Sequence, residues 1–293
     1  MTVQSIDLSL HIAEFKQNGF TVFKQLIDQK QVSIWKEKIP QIREEIFGEQ
    51  VKSHYTVSDM VERYPTMMLP LTANPVILDF MESVMGPFIQ IGDNNLNMFA
   101  PVAKEDVLNE VNGWHRDMYA FVPTGTDYQI PRQVLALTYL EDMTEETGPL
   151  RVLAGTHRKE TVMTAEEKSK PHPDEELLSL KSGDVIVFSG LLHSGTVNTS
   201  DRYRLLMGGM YTYSWYKHDC NFNGPNIQRL IEQATERNDR RMLRLLGGYG
   251  EVEQRRTNSG FTLADETQWK KWIAEDKAAL KGPGDWWRTP QGT

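Results

Sequence analysis

Cysteine is nearly absent: Cys220 stands alone in 293 residues. That excludes an intrachain disulfide and a cysteine-rich zinc cluster, and it suits a reducing compartment. No apolar run approaches the roughly 20 residues a membrane-spanning helix needs. The opening Met1-Thr-Val-Gln-Ser-Ile-Asp lacks both a basic stretch and a continuous apolar core, so no signal peptide is expected. The expectation is a cytoplasmic protein without a membrane partner. Positive charge is also short, with 32 Lys and Arg against 40 Asp and Glu and a net charge of −8. That balance speaks against a nucleic-acid partner, which calls for a basic field. The basic pairs Arg240-Arg241 and Arg255-Arg256 are flanked by acids and read as solvated helix faces. There is no haem, flavin or dinucleotide signature, no internal repeat, and no Pro/Gly/Ser-rich linker. A single domain over 1–293 is expected.

What is present is ordinary core-forming material, 39% hydrophobic residues with ten tyrosines and seven tryptophans. The pattern predicts helices over about 1–87. Leu8 to Gln17 and about Asp28 to Phe47 read as helical, with Pro40 as a break in the second. A third helix is capped by Asn74-Pro75 and closed by Gly86-Pro87. Lys52 to Pro70 reads as a loop. From about 88 to 214 the chain turns to short segments rich in Val, Ile, Leu, Tyr and Phe, punctuated by Gly, Pro, Asp and Asn. Phe88-Ile91, Asn94-Ala100, Gly113-Ala120, Arg132-Glu141, Leu150-Leu153, Leu178-Leu180, Asp184-Ser189 and Tyr203-Tyr213 are the predicted strands. No helix separates them, so a sandwich or barrel is expected. Arg158 to Glu176 reads as a long loop. Helices return at Asn226 to Leu246 and Ala264 to Leu280, within a C-terminal part of about 215–293. The fold class is mainly β with flanking helices.

Within the β region, Trp114-His115-Arg116-Asp117 carries the chemistry. On a strand, His115 and Asp117 share a face and Arg116 takes the other. His193, after the strand-like Asp184-Val-Ile-Val-Phe, offers a third ligand if its strand faces theirs. Two histidines and one carboxylate with open positions make the ligand set of non-haem Fe(II) oxygenases. Such an iron needs electrons, and a chelating keto acid such as 2-oxoglutarate supplies them along with O2. Its far carboxylate calls for a bidentate cation, for which arginine is better shaped than lysine. Arg204 and Arg202 share strand parity and are rivals for that role.

Four blocks in order carry a resemblance. Trp114-His-Arg-Asp117, Glu146-Thr-Gly-Pro-Leu-Arg-Val-Leu-Ala-Gly-Thr-His157, Gly183-Asp-Val-Ile-Val-Phe and His193-Ser-Gly-Thr-Val-Asn-Thr-Ser-Asp-Arg-Tyr-Arg204 resemble the phytanoyl-CoA dioxygenase family. Phe15-Lys-Gln-Asn-Gly-Phe-Thr-Val-Phe resembles its N-terminal block, so the match runs from about Phe15 to Ser214. The resemblance implies a double-stranded β-helix (jelly-roll, cupin-like) core and an Fe(II)/2-oxoglutarate dioxygenase. It places His115, Asp117 and His193 on iron and selects Arg204, eleven positions after His193, for 2-oxoglutarate. Asn97, with Asn95 on its face, and Gln133 are further co-substrate candidates. The presence of Asp117 implies oxidation without halide, since a small residue stands there in related iron halogenases. The implied reaction converts 2-oxoglutarate and O2 to succinate and CO2. It oxidises, by default hydroxylates, an unactivated C–H of a small organic molecule, as in secondary metabolism, with desaturation, ring closure and endoperoxide formation as the other outcomes the resemblance allows.

Other readings stay open on the sequence: a jelly-roll metalloprotein with chemistry that does not use 2-oxoglutarate, and a non-catalytic ligand-binding relative. His157 reads as structural, and His11, His54, His172 and His218 as surface or turn residues. Met118, Tyr119 and Phe121 are pocket candidates. Met67, Met68 and Met98 read as either pocket or core. The abundance of aromatic and Met residues is compatible with a bulky apolar substrate. Trp286-Trp287 could pack onto the domain or mark a contact surface. No feature of the sequence sets the oligomeric state.

Overall fold

A computed structural model of the protein describes residues 6–50, 52–117, 127–216, 219–248, 255 and 265–288. Its strands are β1 (Phe20–Phe23), β2 (His54–Ser58), β3 (Ile89–Phe99), β4 (Gln133–Tyr139), β5 (Leu150–Val152), β6 (Glu176–Leu178), β7 (Val185–Phe188), β8 (His193–Gly195) and β9 (Arg204–Tyr213). Six of them form one antiparallel sheet in the order β1-β7-β4-β9-β3-β2, and three form a smaller one, β6-β5-β8. The sequence-distant neighbours are the jelly-roll crossovers.

Alternation along each strand sorts the side chains onto two faces. One face of the large sheet carries Val57, Leu96, Val134, Val187, Met207 and Tyr211, and it packs into the core shared with the helices. Those helices are α1 (Leu8–Asn18), α2 (Gln29–Phe47), α3 (Met60–Arg63), α4 (Pro65–Thr72), α5 (Pro75–Met85), α6 (Pro225–Glu236), α7 (Arg240–Leu245) and α8 (Asp265–Ala279). The other face looks at the small sheet: Phe20, Tyr139, Ile186 and Phe188 meet Leu150 and Val152 in a second, inter-sheet core.

The helix starts follow capping chemistry. Asp7, Asp28 and Asn74 each accept a backbone N–H of the first turn, at 2.9, 2.8 and 3.0 Å. Pro40 lies inside α2 without ending it. The predicted helix over Asn226 to Leu246 is two, because Asn238 adopts a positive φ of 51° between α6 and α7. The strands predicted at Phe88-Ile91 and Asn94-Ala100 are one, β3, whose register shifts between Ile91 and Asp93. Lys52 to Pro70, expected as a loop, supplies β2, α3 and part of α4.

Arg240, Arg241 and Arg255 are not solvated faces, and Arg256 lies outside the described residues. Arg241 reaches Asp79 and Glu82, Arg244 lies 3.6 Å from Glu82 and 2.7 Å from Asp276, and Arg255 lies 2.7 Å from Asp276. These contacts knit α5, α7 and α8 together. Trp286 and Trp287 are buried, and the Trp286 indole donates to Asp239 at 2.7 Å. They are packing residues.

Candidate metal centre

The free edge of the small sheet is continued by the segment around Trp114. Val111 pairs with Thr196 and His115 with His193. The backbones of the two histidines exchange both hydrogen bonds, each 3.0 Å. The expected strand over Gly113 to Ala120 therefore shrinks to a bridge at His115, and 118–120 lie outside the described residues. The two histidines also sit side by side rather than across from one another. Parity still sorts the side chains as expected. Trp114 turns inward with Val111, Leu153 and Leu192, and its indole donates to the Lys170 carbonyl at 2.8 Å, tying down the long loop. Arg116 donates to the carbonyls of Thr156 at 2.9 Å, Lys159 at 3.2 Å and Gly190. These two anchors hold the segment while His115 and Asp117 project together.

The rings of His115 and His193 stand 4.4 Å apart. Asp117 lies between them, its Oδ1 3.6 Å from His115 Nε2 and its Oδ2 3.4 Å from His193 Nε2. One ligand atom from each residue falls within 4.8 Å of the others. A divalent ion bound at about 2.0–2.2 Å from each donor spans such separations. His115 Nδ1 faces the Gly113 carbonyl at 2.9 Å and His193 Nδ1 the Leu191 carbonyl at 3.2 Å. A carbonyl can only accept, so each Nδ1 carries the proton and each Nε2 keeps its lone pair for a metal. The donor set fits iron.

Charge at the site is strongly coupled. The neighbouring Asp117 carboxylate lifts His115 above the ordinary imidazole range, while burial pushes His193 below it. Burial would raise Asp117, but the two neighbouring imidazoles, His115 and His193, hold it below the usual carboxylate range. A cation placed among these three groups stabilises the carboxylate and replaces a shared proton.

Arg204 opens β9 and is 3% exposed. Its Nη1 donates to the carbonyls of Gly148 at 2.7 Å and Thr196 at 2.6 Å, with a longer contact to Thr147 at 3.3 Å. Its guanidinium lies 4.6 Å from the ring centre of Phe99, a cation–π contact. Among the described residues no carboxylate pairs with it, and its Nε is buried without a partner. Gly195 shares the face of His193 two residues along β8, about 6.6 Å away. A Cβ built on Gly195 would lie 3.5 Å from Arg204 Nη2 and 3.0 Å from Asn112 Nδ2. The guanidinium is thus on the metal side of β8. The absence of a side chain at Gly195 leaves room between them.

Asn97 and Asn95 lie on the inter-sheet face with Phe99. Asn97 Oδ1 accepts from Thr56 at 2.9 Å and meets His54 Nε2 at 3.0 Å, and its Nδ2 donates to Asn95 at 2.6 Å. His54, expected to be a surface or turn residue, stacks on Phe99 at 4.2 Å. Gln133 also faces inward, opposite Thr212 at the far end of β9 from Arg204. Arg202 gives its carbonyl to Asn198 at 2.8 Å and is exposed. His157 meets the Lys16 carbonyl at 3.1 Å and packs on Gly19. His11 stacks on Phe23, and His172 accepts the Asp174 N–H at 3.1 Å. Met67, Met68 and Met98 belong to the helix-side core. Met118, Tyr119, Phe121 and His218 lie outside the described residues. Sequence reasoning missed Asn112, Phe99 and the room at Gly195. Only the parity of Gly195 with His193 could have pointed to the last. A cleft of about 430 Å³, lined by Asn112, Gly113, Val107 and Lys168 among others, runs up to this segment.

Solved structures share the fold. HygX from Streptomyces hygroscopicus, with nickel, 2-oxoglutarate and hygromycin B bound, is 16% identical, with a TM-score of 0.57 over 71% of this chain and 88% of that one. SnoN, a non-haem α-ketoglutarate-dependent epimerase from nogalamycin biosynthesis, is 19% identical, with a TM-score of 0.54 over 71% and 81%. SnoK, a carbocyclase from the same biosynthesis, is 14% identical, with a TM-score of 0.54 over 78% and 91%. No curated protein sequence matches the chain. The family model for phytanoyl-CoA dioxygenase (PhyH) matches residues 15–206. The chain belongs to the phytanoyl-CoA dioxygenase family and is a non-haem, Fe(II)- and 2-oxoglutarate-dependent enzyme with a jelly-roll core.

Proposed function

We propose that the enzyme hydroxylates an unactivated C–H of a small organic molecule, with His115, Asp117 and His193 holding the iron and Arg204 the distal carboxylate of 2-oxoglutarate. The iron and keto acid together supply the oxidising chemistry: 2-oxoglutarate leaves as succinate and CO2, one oxygen atom going to succinate and the other to the product. The observation that carries the reading is a buried guanidinium on the metal side of β8 that has no carboxylate partner among the described residues. Burial lowers the pKa of Arg204, which measures how poorly its charge is compensated. A bidentate carboxylate would remove that deficit. Gly195 leaves the path clear, and the Nδ1–H bonds of the histidines fix their Nε2 atoms toward Asp117. Asn97 is the nearest further candidate to orient the co-substrate, by exchanging its bond to Asn95.

The substrate is a metabolite of the kind tailored in secondary metabolism, in keeping with the natural products bound to HygX and SnoN. Loss of two hydrogens or epimerisation in place of oxygen insertion is the second reading, favoured by the reactions of SnoN and SnoK. We take 1–293 as one oxygenase unit working in a reducing, cytoplasmic setting. No described helix is long and apolar enough to cross a membrane. Turnover under 18O2 with a panel of polycyclic and aminocyclitol compounds tests the reaction. Hydroxylation predicts succinate release with one labelled oxygen in the product. Succinate with an unlabelled, dehydrogenated or epimerised product sinks hydroxylation in favour of the second reading.

A further inference from the structure

Three polar side chains form a row across the inter-sheet face at the end of the large sheet away from Arg204. Gln90 on β3 and Gln133 on β4 both stand opposite Thr212 on β9. Gln90 and Thr212 are fully buried and Gln133 is 5% exposed. Both amide atoms of Gln90, the Oγ1 of Thr212 and the Nε2 of Gln133 have no hydrogen-bond partner among the described residues. Leaving such a group unpaired costs about 1–3 kcal/mol, and native proteins leave few so. Four on one row point to a missing partner.

The place of the row says which partner. The neighbouring row holds Asp93, Met210, Leu135 and Phe188, and the Asp93 carboxylate is taken up by the Asn94 N–H and the Asn95 side chain, at 2.7 and 3.0 Å. Phe188 touches the ring of the metal-ligand candidate His193, with 4.9 Å between ring centres. Arg204 lies three rows the other way along β9, at residues 208, 206 and then 204. A co-substrate reaching from the metal toward Arg204 leaves the Gln90–Thr212–Gln133 row free on the opposite side. We propose that this row binds and orients the primary substrate, and that the group it grips is uncharged and both donates and accepts hydrogen bonds, a hydroxyl or carboxamide. Amides and a hydroxyl offer both functions, and none of the three side chains carries charge. The inference reassigns Gln133 from co-substrate to substrate. It also replaces the bulky apolar substrate suggested by composition with a polar one. It rests on the proposed placement of metal and co-substrate.

The test uses Gln90→Met, Gln133→Met and Thr212→Val, singly and together, since these keep volume and remove polarity. Two measurements are made. Urea unfolding of the metal-free proteins is expected to show unchanged or higher midpoints in the variants, because no bond is lost. Saturation-transfer NMR with myo-inositol, N-acetylglucosamine and toluene follows binding to the protein loaded with Ni(II) and 2-oxoglutarate. The two hydroxyl-bearing probes are expected to bind the wild type and to weaken at least tenfold in the triple variant, while toluene, which has no hydrogen-bonding group, does not weaken. A lowered unfolding midpoint would mean the row is held by structural water and overturns the proposal. So does a wild type that prefers toluene, that binds neither polar probe, or that binds them no better than the triple variant. The visible charge-transfer band formed anaerobically with Fe(II) and 2-oxoglutarate is recorded on the same samples. Its absence from the wild type counts against the metal and co-substrate assignment alone, and the probe binding still judges the row.

Discussion

Replacing Arg204 by Met tests the site most directly, because the side chain keeps its length and loses only charge and donors. In the metal-free protein the cost is small. The Gly148 and Thr196 carbonyls lose a donor, about 1–3 kcal/mol each at most, while a poorly compensated buried charge disappears. With co-substrate the balance reverses, since the guanidinium has no other carboxylate among the described residues. Truncating one partner of a buried charge pair costs about 2–5 kcal/mol, a rise in Kd of roughly thirtyfold to several thousandfold. The assay is anaerobic titration of the Fe(II) protein with 2-oxoglutarate, read by the charge-transfer band. Arg204→Lys keeps the charge but not the fork, and is expected to fall between the two. An Arg204→Met protein that binds 2-oxoglutarate within threefold of wild type refutes the assignment. So does one that fails to bind Fe(II), because Arg204 touches none of the three ligands.

Further expectations concern neighbouring positions. Gly195→Val puts methyl groups where Asn112 and Arg204 converge, so the KM for 2-oxoglutarate should rise at least tenfold while Fe(II) affinity by equilibrium dialysis stays within threefold. Burial lowers the pKa of His157, so the unfolded chain takes up a proton near pH 6.5 that the folded one refuses. The His157 contribution to the urea midpoint should therefore fall as pH drops below about 6.5 and be flat above it, and His157→Gln should remove that part of the slope. Glu82 is 1% exposed between Arg241 and Arg244. Glu82→Gln takes from Arg241 and Arg244 one of two carboxylate partners each, Asp79 and Asp276 remaining, and should cost about 1–3 kcal/mol in urea unfolding. A loss below about 1 kcal/mol would show the cluster to be solvated after all.

Local chemistry was legible in the residues themselves. Apolar segments set off by Gly, Pro, Asp and Asn located β3, β4, β5, β7 and β9, strand parity put His115 with Asp117, capping residues located the helix starts, and the resemblance of the motif blocks pointed to the jelly roll. These properties depend on neighbours one to four positions apart, so the sequence by itself determined them. What depended on distant pairing was not legible. The bridge that sets His115 beside His193, the carbonyl cage around Arg204, and the ion pairs of Arg241 and Arg255 all join segments far apart in the chain. Likewise, Gln90, Gln133 and Thr212 look like ordinary strand residues until register sets them in one row. Only the tertiary structure decides which polar groups find partners and which are left for a ligand, because burial and strand register are properties of the packed sheets and not of any one stretch.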